Sequence, residues 1–259
     1  MLQKAAKNVA IVDVAGVHAT AGLMPHTRRQ KTTVCWDTGW VYSGARLEAK
    51  SDIPSESLPV VYLARHGETA WSLSGQHTGL TDMPLTERGR RNAVRLGQRL
   101  KGMTFSKVLT SPLQRATLTC QLAGFGDLAE VDRDLLEWNY GQYEGRTRAE
   151  ILADRPEWQL FRDGCPGGES PEQVATRADR VVSRIRAIQG DVLLFSSGHL
   201  LRTLAARWLA LDPGGGRYLL LSTASLSMLT YEHDLSRPAI GLWNDTQLVG
   251  PHQEHSTEK

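Results

Sequence analysis

A histidine between an arginine and a glycine, Arg65-His66-Gly67, stands directly after a short apolar run of β-forming residues. A neutral imidazole can attack phosphorus and hold the phosphoryl group covalently, dividing one difficult displacement into two easier ones. The adjacent guanidinium offers a bidentate fork for phosphate oxygens. Gly67 lacks a Cβ, so the backbone can turn sharply and approach a ligand there. Three residues alone are a weak signal, because a histidine at a strand end can equally serve to satisfy backbone groups. Other candidates are Arg115, in Ser111-Pro112-Leu113-Gln114-Arg115-Ala116, and Glu137, set between apolar neighbours in Leu136-Glu137-Trp138-Asn139-Tyr140-Gly141. A carboxyl shielded from water suits a general acid; the plainer readings are a surface helix arginine and a solvated loop carboxylate. His199 follows a further apolar run at 191–196.

These residues need elements to hold them. Pro59–Ala64 reads as a buried strand. Thr86 caps a helix running to about Lys101, with Ala93, Leu96 and Leu100 on one face. Residues 107–110 read as a second strand and 113–122 as a second helix. Thr147 with Glu150, and Ser170 with Gln173, form capping boxes that open two more helices, the second running to Ile188 with Pro171 at its favoured first position. Residues 191–196 form a strand, 200–211 a short helix, and 225–231 a late strand. Alternating strands and helices imply an α/β layer fold with a mostly parallel central sheet. Ligands of such sheets lie beyond the carboxyl ends of the strands, where Arg65, His66 and His199 stand.

The stretch RHGETAWSLSGQHTGLTDMPLTE from Arg65 to Glu87, with SPLQRA at 111–116, EWNYGQYEG at 137–145 and GGES at 167–170, makes residues 58–245 resemble the histidine phosphatase (phosphoglycerate mutase-like) superfamily, branch 1. The resemblance implies a three-layer α/β/α sandwich. It implies that His66 is the phosphorylated nucleophile, that Arg65 and Arg115 clamp the phosphoryl oxygens, and that Glu137 gives a proton to the leaving alcohol and takes one from water. Thr78, Gly79 and Tyr140 match positions lining the substrate pocket. Ser72 stands where many members have Asn, within a frame similar to that of sedoheptulose-bisphosphatases. One departure stands out: the family frame His-Gly-x-x-x-Arg reads Ser197-Gly198-His199-Leu200-Leu201-Arg202 here. Ser197 occupies the place of a second pocket histidine. His199 could replace it if the chain is still extended there, since side chains alternate along a strand. The helix beginning nearby would offer free amides to the phosphate.

The totals set bounds. A net charge of +2 is too near neutral for nucleic acid or an anionic membrane to be the main partner. The expected partner is a small-molecule phosphate ester, with a homodimer left open. Cys35, Cys120 and Cys165 are odd in number and widely spaced, which argues against disulfides or zinc and for a reduced, cytoplasmic setting. No metal-ligand spacing occurs, and no metal or cofactor is expected. No apolar run reaches the roughly 20 residues of a membrane helix. Residues 1–57 read as a loosely ordered extension ending in a linker, with a partner-binding arm around Trp36 and Trp40 as the sharper reading; Asp13 and His18 argue against a signal peptide. Residues 246–259 read as a polar tail. The expected activity is a phosphomonoesterase for small metabolites, sugar phosphates among them. A cofactor-dependent phosphoglycerate mutase and a catalytically weakened phospho-ligand-binding protein are the alternatives. The short interval between 145 and 167 favours water access, and so hydrolysis.

Overall fold

The computed structural model describes residues 58–247. The N-terminal extension, including the Trp36 and Trp40 arm and the expected linker up to residue 57, and the tail beyond residue 247 lie outside the described residues.

Within them a six-stranded sheet carries the fold. Its strands are β1 (Val61–Arg65), β2 (Lys107–Thr110), β3 (Ala129–Val131), β4 (Val192–Ser196), β5 (Leu226–Tyr231) and β6 (Pro238–Asp245), in the order β3-β2-β4-β1-β5-β6. The first four in that order run parallel, and β5 is antiparallel to both of its neighbours. Side chains alternate between the two faces, as a pleat requires. Val61, Leu63, Val192 and Leu194 enter one core, with α6 (Pro171–Arg186) and α7 (Gly198–Trp208). Tyr62, Ala64, Leu193 and Phe195 enter the other, with α2 (Glu87–Arg99) and α3 (Gln114–Leu122). The result is the three-layer α/β/α arrangement.

Local chemistry sets the helix starts. Thr86 accepts from Gly89 N to open α2. Both capping boxes form, at Thr147 before α4 (Arg148–Asp154) and at Ser170 before α6. A third box, Thr69 with Ser72, opens α1 (Ala70–Ser74). α5 (Leu160–Asp163) completes the helices. Two strands were not foreseen. β3 is only three residues long, and β6 is partly exposed on both faces, so neither shows a hydrophobic period.

Two boundaries correct the sequence reading. α7 begins at Gly198, with Ser197 as its N-cap, rather than at Leu200. It ends at Trp208 rather than at Leu211, and residues 213–218 form a 3-10 turn. The first change bears directly on His199.

Candidate active site

The carboxyl ends of β1 and β4 open into a cavity of about 170 Å3 lined by Arg65, His66, Ser72, Gln76, His77, Thr78, Glu137, Tyr140 and His199, with Gly75 at its edge. His66 follows β1 directly and is buried. Its Nδ1 lies 2.7 Å from the Gly67 carbonyl oxygen. A carbonyl only accepts, so Nδ1 carries the hydrogen and Nε2 keeps a bare lone pair. Burial pushes the imidazole well below its ordinary range, and the charges of Arg65 and Arg115 add to the effect. His66 is therefore neutral and in the tautomer that a phosphorus nucleophile needs.

The loop behind it is rigid. Gly67 N donates to Thr119 Oγ1 at 2.9 Å, and Thr119 Oγ1 donates to the Arg115 carbonyl at 2.6 Å. A Cβ on Gly67 would lie 2.6 Å from the Gly89 carbonyl oxygen, and one on Gly89 would lie 2.2 Å from that of Glu68. The close approach that Gly67 permits is thus to α2, not to a ligand.

Glu137, expected as an acid, is also a helix cap. Its Oε1 accepts from Trp138 N at 2.9 Å and Leu200 N at 2.8 Å, and its Oε2 accepts from His199 N at 3.0 Å. The first-turn amides of α7 are therefore taken by Glu137, contrary to the expectation that they would be free for phosphate. Both lone pairs of Oε1 are used, which leaves Oε2 as the oxygen able to carry a transferable proton. Arg177 fixes this segment from behind. It donates to the carbonyls of Asp134, Leu136 and Glu137 and forms a two-point ion pair with Glu169, whose Oε2 accepts from Asn139 N at 2.8 Å.

The two arginines differ in position. Arg65 lines the cavity, donates through Nη1 to the Leu221 carbonyl, and packs against Gly198. Arg115 is fully buried behind the wall. Its Nη groups donate to the carbonyls of Thr78 at 3.0 Å, Gly79 at 2.7 Å and Thr81 at 2.9 Å. Glu144 Oε1 holds the same loop from the other side, accepting from Gly79 N at 2.8 Å and Thr81 N at 3.1 Å. Gly79 has both backbone groups committed and lies outside the cavity lining, whereas Thr78 lines it. Ser72 lines the cavity, but its hydroxyl donates to the Thr69 carbonyl and accepts from Thr69 N, closing the cap of α1. Three buried donors have no partner among the described residues: Arg65 Nε, Arg115 Nε and Ser197 Oγ. Unpaired buried donors cost free energy unless an acceptor reaches them.

Because α7 starts at Gly198, residues 197 and 199 do not share a strand face. Ser197 is fully buried, while His199 reaches the cavity wall, its Nδ1 2.5 Å from Tyr140 Oη. Burial, then the Arg202 charge, holds His199 well below the ordinary histidine range. Burial also pushes the Tyr140 hydroxyl well above its own. The pair thus shares one hydrogen between neutral groups.

His77 is a wall residue. Its Nδ1 lies 2.8 Å from the Arg146 carbonyl, and its ring stands edge-on to Tyr140 and Trp158. Gln76, Glu144 and Arg177 escaped the sequence reading; each has a partner 40 or more residues away. Among the described residues no group of three or more His, Cys, Asp or Glu gathers as a metal site, and no helix is long and apolar enough to cross a membrane. Cys120 and Cys165 are buried free thiols pushed up to about 12 by desolvation.

Known proteins share this framework. The chain is 40% identical to an acid phosphatase of Mycobacterium tuberculosis over 69% of its length and 89% of the relative's. It is 36% identical to sedoheptulose 1,7-bisphosphatase of Saccharomyces cerevisiae, over 59% of this chain and 68% of that one. The solved structure of a Mycobacterium tuberculosis open-reading-frame product superimposes with a TM-score of 0.68 at 38% identity, covering 72% of this chain and 97% of that one. The family model of the histidine phosphatase superfamily, branch 1, matches residues 61–246, and the chain belongs to that family.

Proposed function

We infer that the chain is a phosphomonoesterase for small phosphorylated metabolites, working through a phosphohistidine at His66. The observation that carries this reading is the state of His66: neutral, with its hydrogen on Nδ1 and the lone pair of Nε2 bare, in one cavity with Arg65 and Glu137.

In the first step the Nε2 lone pair of His66 forms a bond to phosphorus, and the bond to the leaving oxygen breaks. That oxygen takes the proton from Glu137 Oε2. In the second step water loses a proton to Glu137 and attacks phosphorus, the P–N bond breaks, and His66 is neutral again. Both proton transfers fall to Oε2, since Oε1 already accepts two hydrogen bonds and Oε2 only one. Arg65 and Arg115 offset charge on the phosphoryl oxygens as the transition state forms. Arg115 also sets the Thr78 wall through its three carbonyl bonds. Buried Ser197 supplies a neutral hydroxyl where relatives of the same frame carry a histidine, so a charge-assisted bond to phosphate is replaced by a weaker one.

The test is a panel of phosphate esters, sugar phosphates foremost given the substrates named for the relatives, with trapping of labelled phosphohistidine. Metal-independent phosphate release with label on His66 is expected. Absence of label across pH 4–9 would revive the binding-protein reading. Isomerisation of 3-phosphoglycerate by the primed enzyme, faster than phosphate release, would favour a mutase.

A further inference from the structure

A second cavity of about 380 Å3 adjoins the first and shares two walls with it, His77 and His199. Three arginines line it, Arg148, Arg202 and Arg217, and no carboxylate does. None of the three forms an ion pair among the described residues, although nine other arginines do. Arg202 is held in place. Its Nε donates to the Gly216 carbonyl at 3.0 Å, its Nη2 to that of Arg217 at 3.2 Å, and its guanidinium carbon lies 4.7 Å above the centre of the Phe161 ring. That leaves Nη1 without a partner among the described residues. Arg217 donates to Tyr218 Oη and lies 4.5 Å above that ring. Three guanidinium groups without a carboxylate partner around one concavity repel each other, a cost that a bound anion relieves.

We propose that this cavity is a subsite for the second phosphate of a bisphosphorylated substrate whose reacting phosphate sits at His66. The proposal rests on the phosphatase reading above and names its substrate class. The shared walls place the two cavities side by side. The imidazole rings of His77 and His199 are within 10° of parallel, with centroids 6.3 Å apart, and stand where the two cavities meet. A phosphate is favoured over a carboxylate because three guanidinium groups match a dianion with three acceptor oxygens better than a monoanion with two. Arg148 and Arg217 are exposed, so their charge also draws such a ligand in from solvent.

The experiment uses the full chain, with fructose 1,6-bisphosphate, fructose 6-phosphate and 3-phosphoglycerate as probes. The expected result is a kcat/KM for the bisphosphate at least about tenfold above that for the monophosphate, mostly through KM, since a bond made equally in ground and transition states acts on binding. Arg148→Gln and Arg217→Gln should each reduce that ratio several-fold, and the double variant should bring it close to one. Raising the ionic strength should compress it in the wild type. A wild-type ratio near one, or a ratio untouched in the double variant, would overturn the subsite and leave the phosphatase reading intact. A higher ratio for 3-phosphoglycerate than for the bisphosphate would overturn the choice of phosphate. If no ester is hydrolysed, the phosphatase reading falls, and calorimetry of the two fructose esters judges the subsite: tighter, arginine-dependent binding of the bisphosphate supports it and equal affinity overturns it.

Discussion

Replacing Glu137 by glutamine alters the proton relay and the start of α7 together, and the geometry separates the two effects. The amide oxygen can take the place of Oε1 and keep the bonds from Trp138 N and Leu200 N. The NH2 group then faces His199 N, a donor against a donor where Oε2 had accepted at 3.0 Å. The loss is one hydrogen bond to a charged group, about 1.5–3 kcal/mol, and a negative charge at a helix N-terminus, about 0.3–1 kcal/mol. Together they amount to roughly 2–4 kcal/mol, which for a domain of this size lowers Tm by roughly 5–15 °C. The chemical effect depends on the leaving group. A sugar hydroxylate needs a proton, and its turnover should fall by about 10²–10⁴. A p-nitrophenolate does not, so phosphorylation of His66 should survive while attack by water is slowed. Stopped-flow with p-nitrophenyl phosphate should then show a burst of about one equivalent followed by slow turnover. Equal losses on both substrates with no burst would refute the acid–base role, and an unchanged Tm would refute the cap.

Other perturbations follow from the same geometry. Ser197→His should restore a charge-assisted bond to phosphate and raise kcat/KM about tenfold or more, while His199→Ala lowers it; unchanged rates in both would mean that this loop does not set the rate. Glu144→Gln should act like wild type, because a single oxygen accepts from both Gly79 N and Thr81 N; Glu144→Ala should leave those amides unpaired, raise KM, and lower stability by about 1–3 kcal/mol. The pH dependence of stability follows from His66, His77 and His199, all held below the ordinary histidine range, first of all by burial. Below about pH 6.5 the unfolded chain takes up protons that the folded one refuses, so stability is full above that pH and is lost as pH falls. The slope is up to about 1.4 kcal/mol per pH unit for each histidine. Denaturant titrations between pH 7.5 and 5 measure it, and a flat profile would contradict buried neutral imidazoles. Activity should persist below pH 6.5, because His66 is still a free base there.

The sequence carried the parts of the fold whose causes are local. The caps at Thr86, Thr147 and Ser170 are each satisfied within three residues, and strands β1 and β4 are apolar until their last residue. β3 and β6 are short or edge elements whose pairing comes from distant neighbours, and no local period marks them. At the site, the candidate residues stand in recognisable frames, and His66, Arg65, Glu137, Tyr140 and His199 all line one cavity. Their second roles were not legible. That Glu137 caps a helix starting 61 residues later, that Arg115 holds three carbonyls of the Thr78–Thr81 loop, and that Tyr140 and Trp158 enclose His77 are facts of tertiary contact. The onset of α7 was misplaced by two residues because Ser197 caps it without a side-chain hydrogen bond, so the usual signature is missing.

The glycine pair Gly67 and Gly89 bears on which parts of the pocket can move. With backbone against backbone at that point, no rearrangement can slip the nucleophile loop along α2, and Thr119 pins it from a third direction. The wall at Thr78–Thr81 is equally fixed, gripped by Arg115 from one side and Glu144 from the other. What is left is side-chain variation in the segment 217–221, which turns Tyr218 and Leu220 out to solvent while its carbonyls at Arg217, Leu220 and Leu221 accept from Arg202, Trp243 and Arg65. Adaptation to substrates of different length therefore falls to one side of the cleft, so the catalytic half can stay unchanged while the other half drifts toward new specificities.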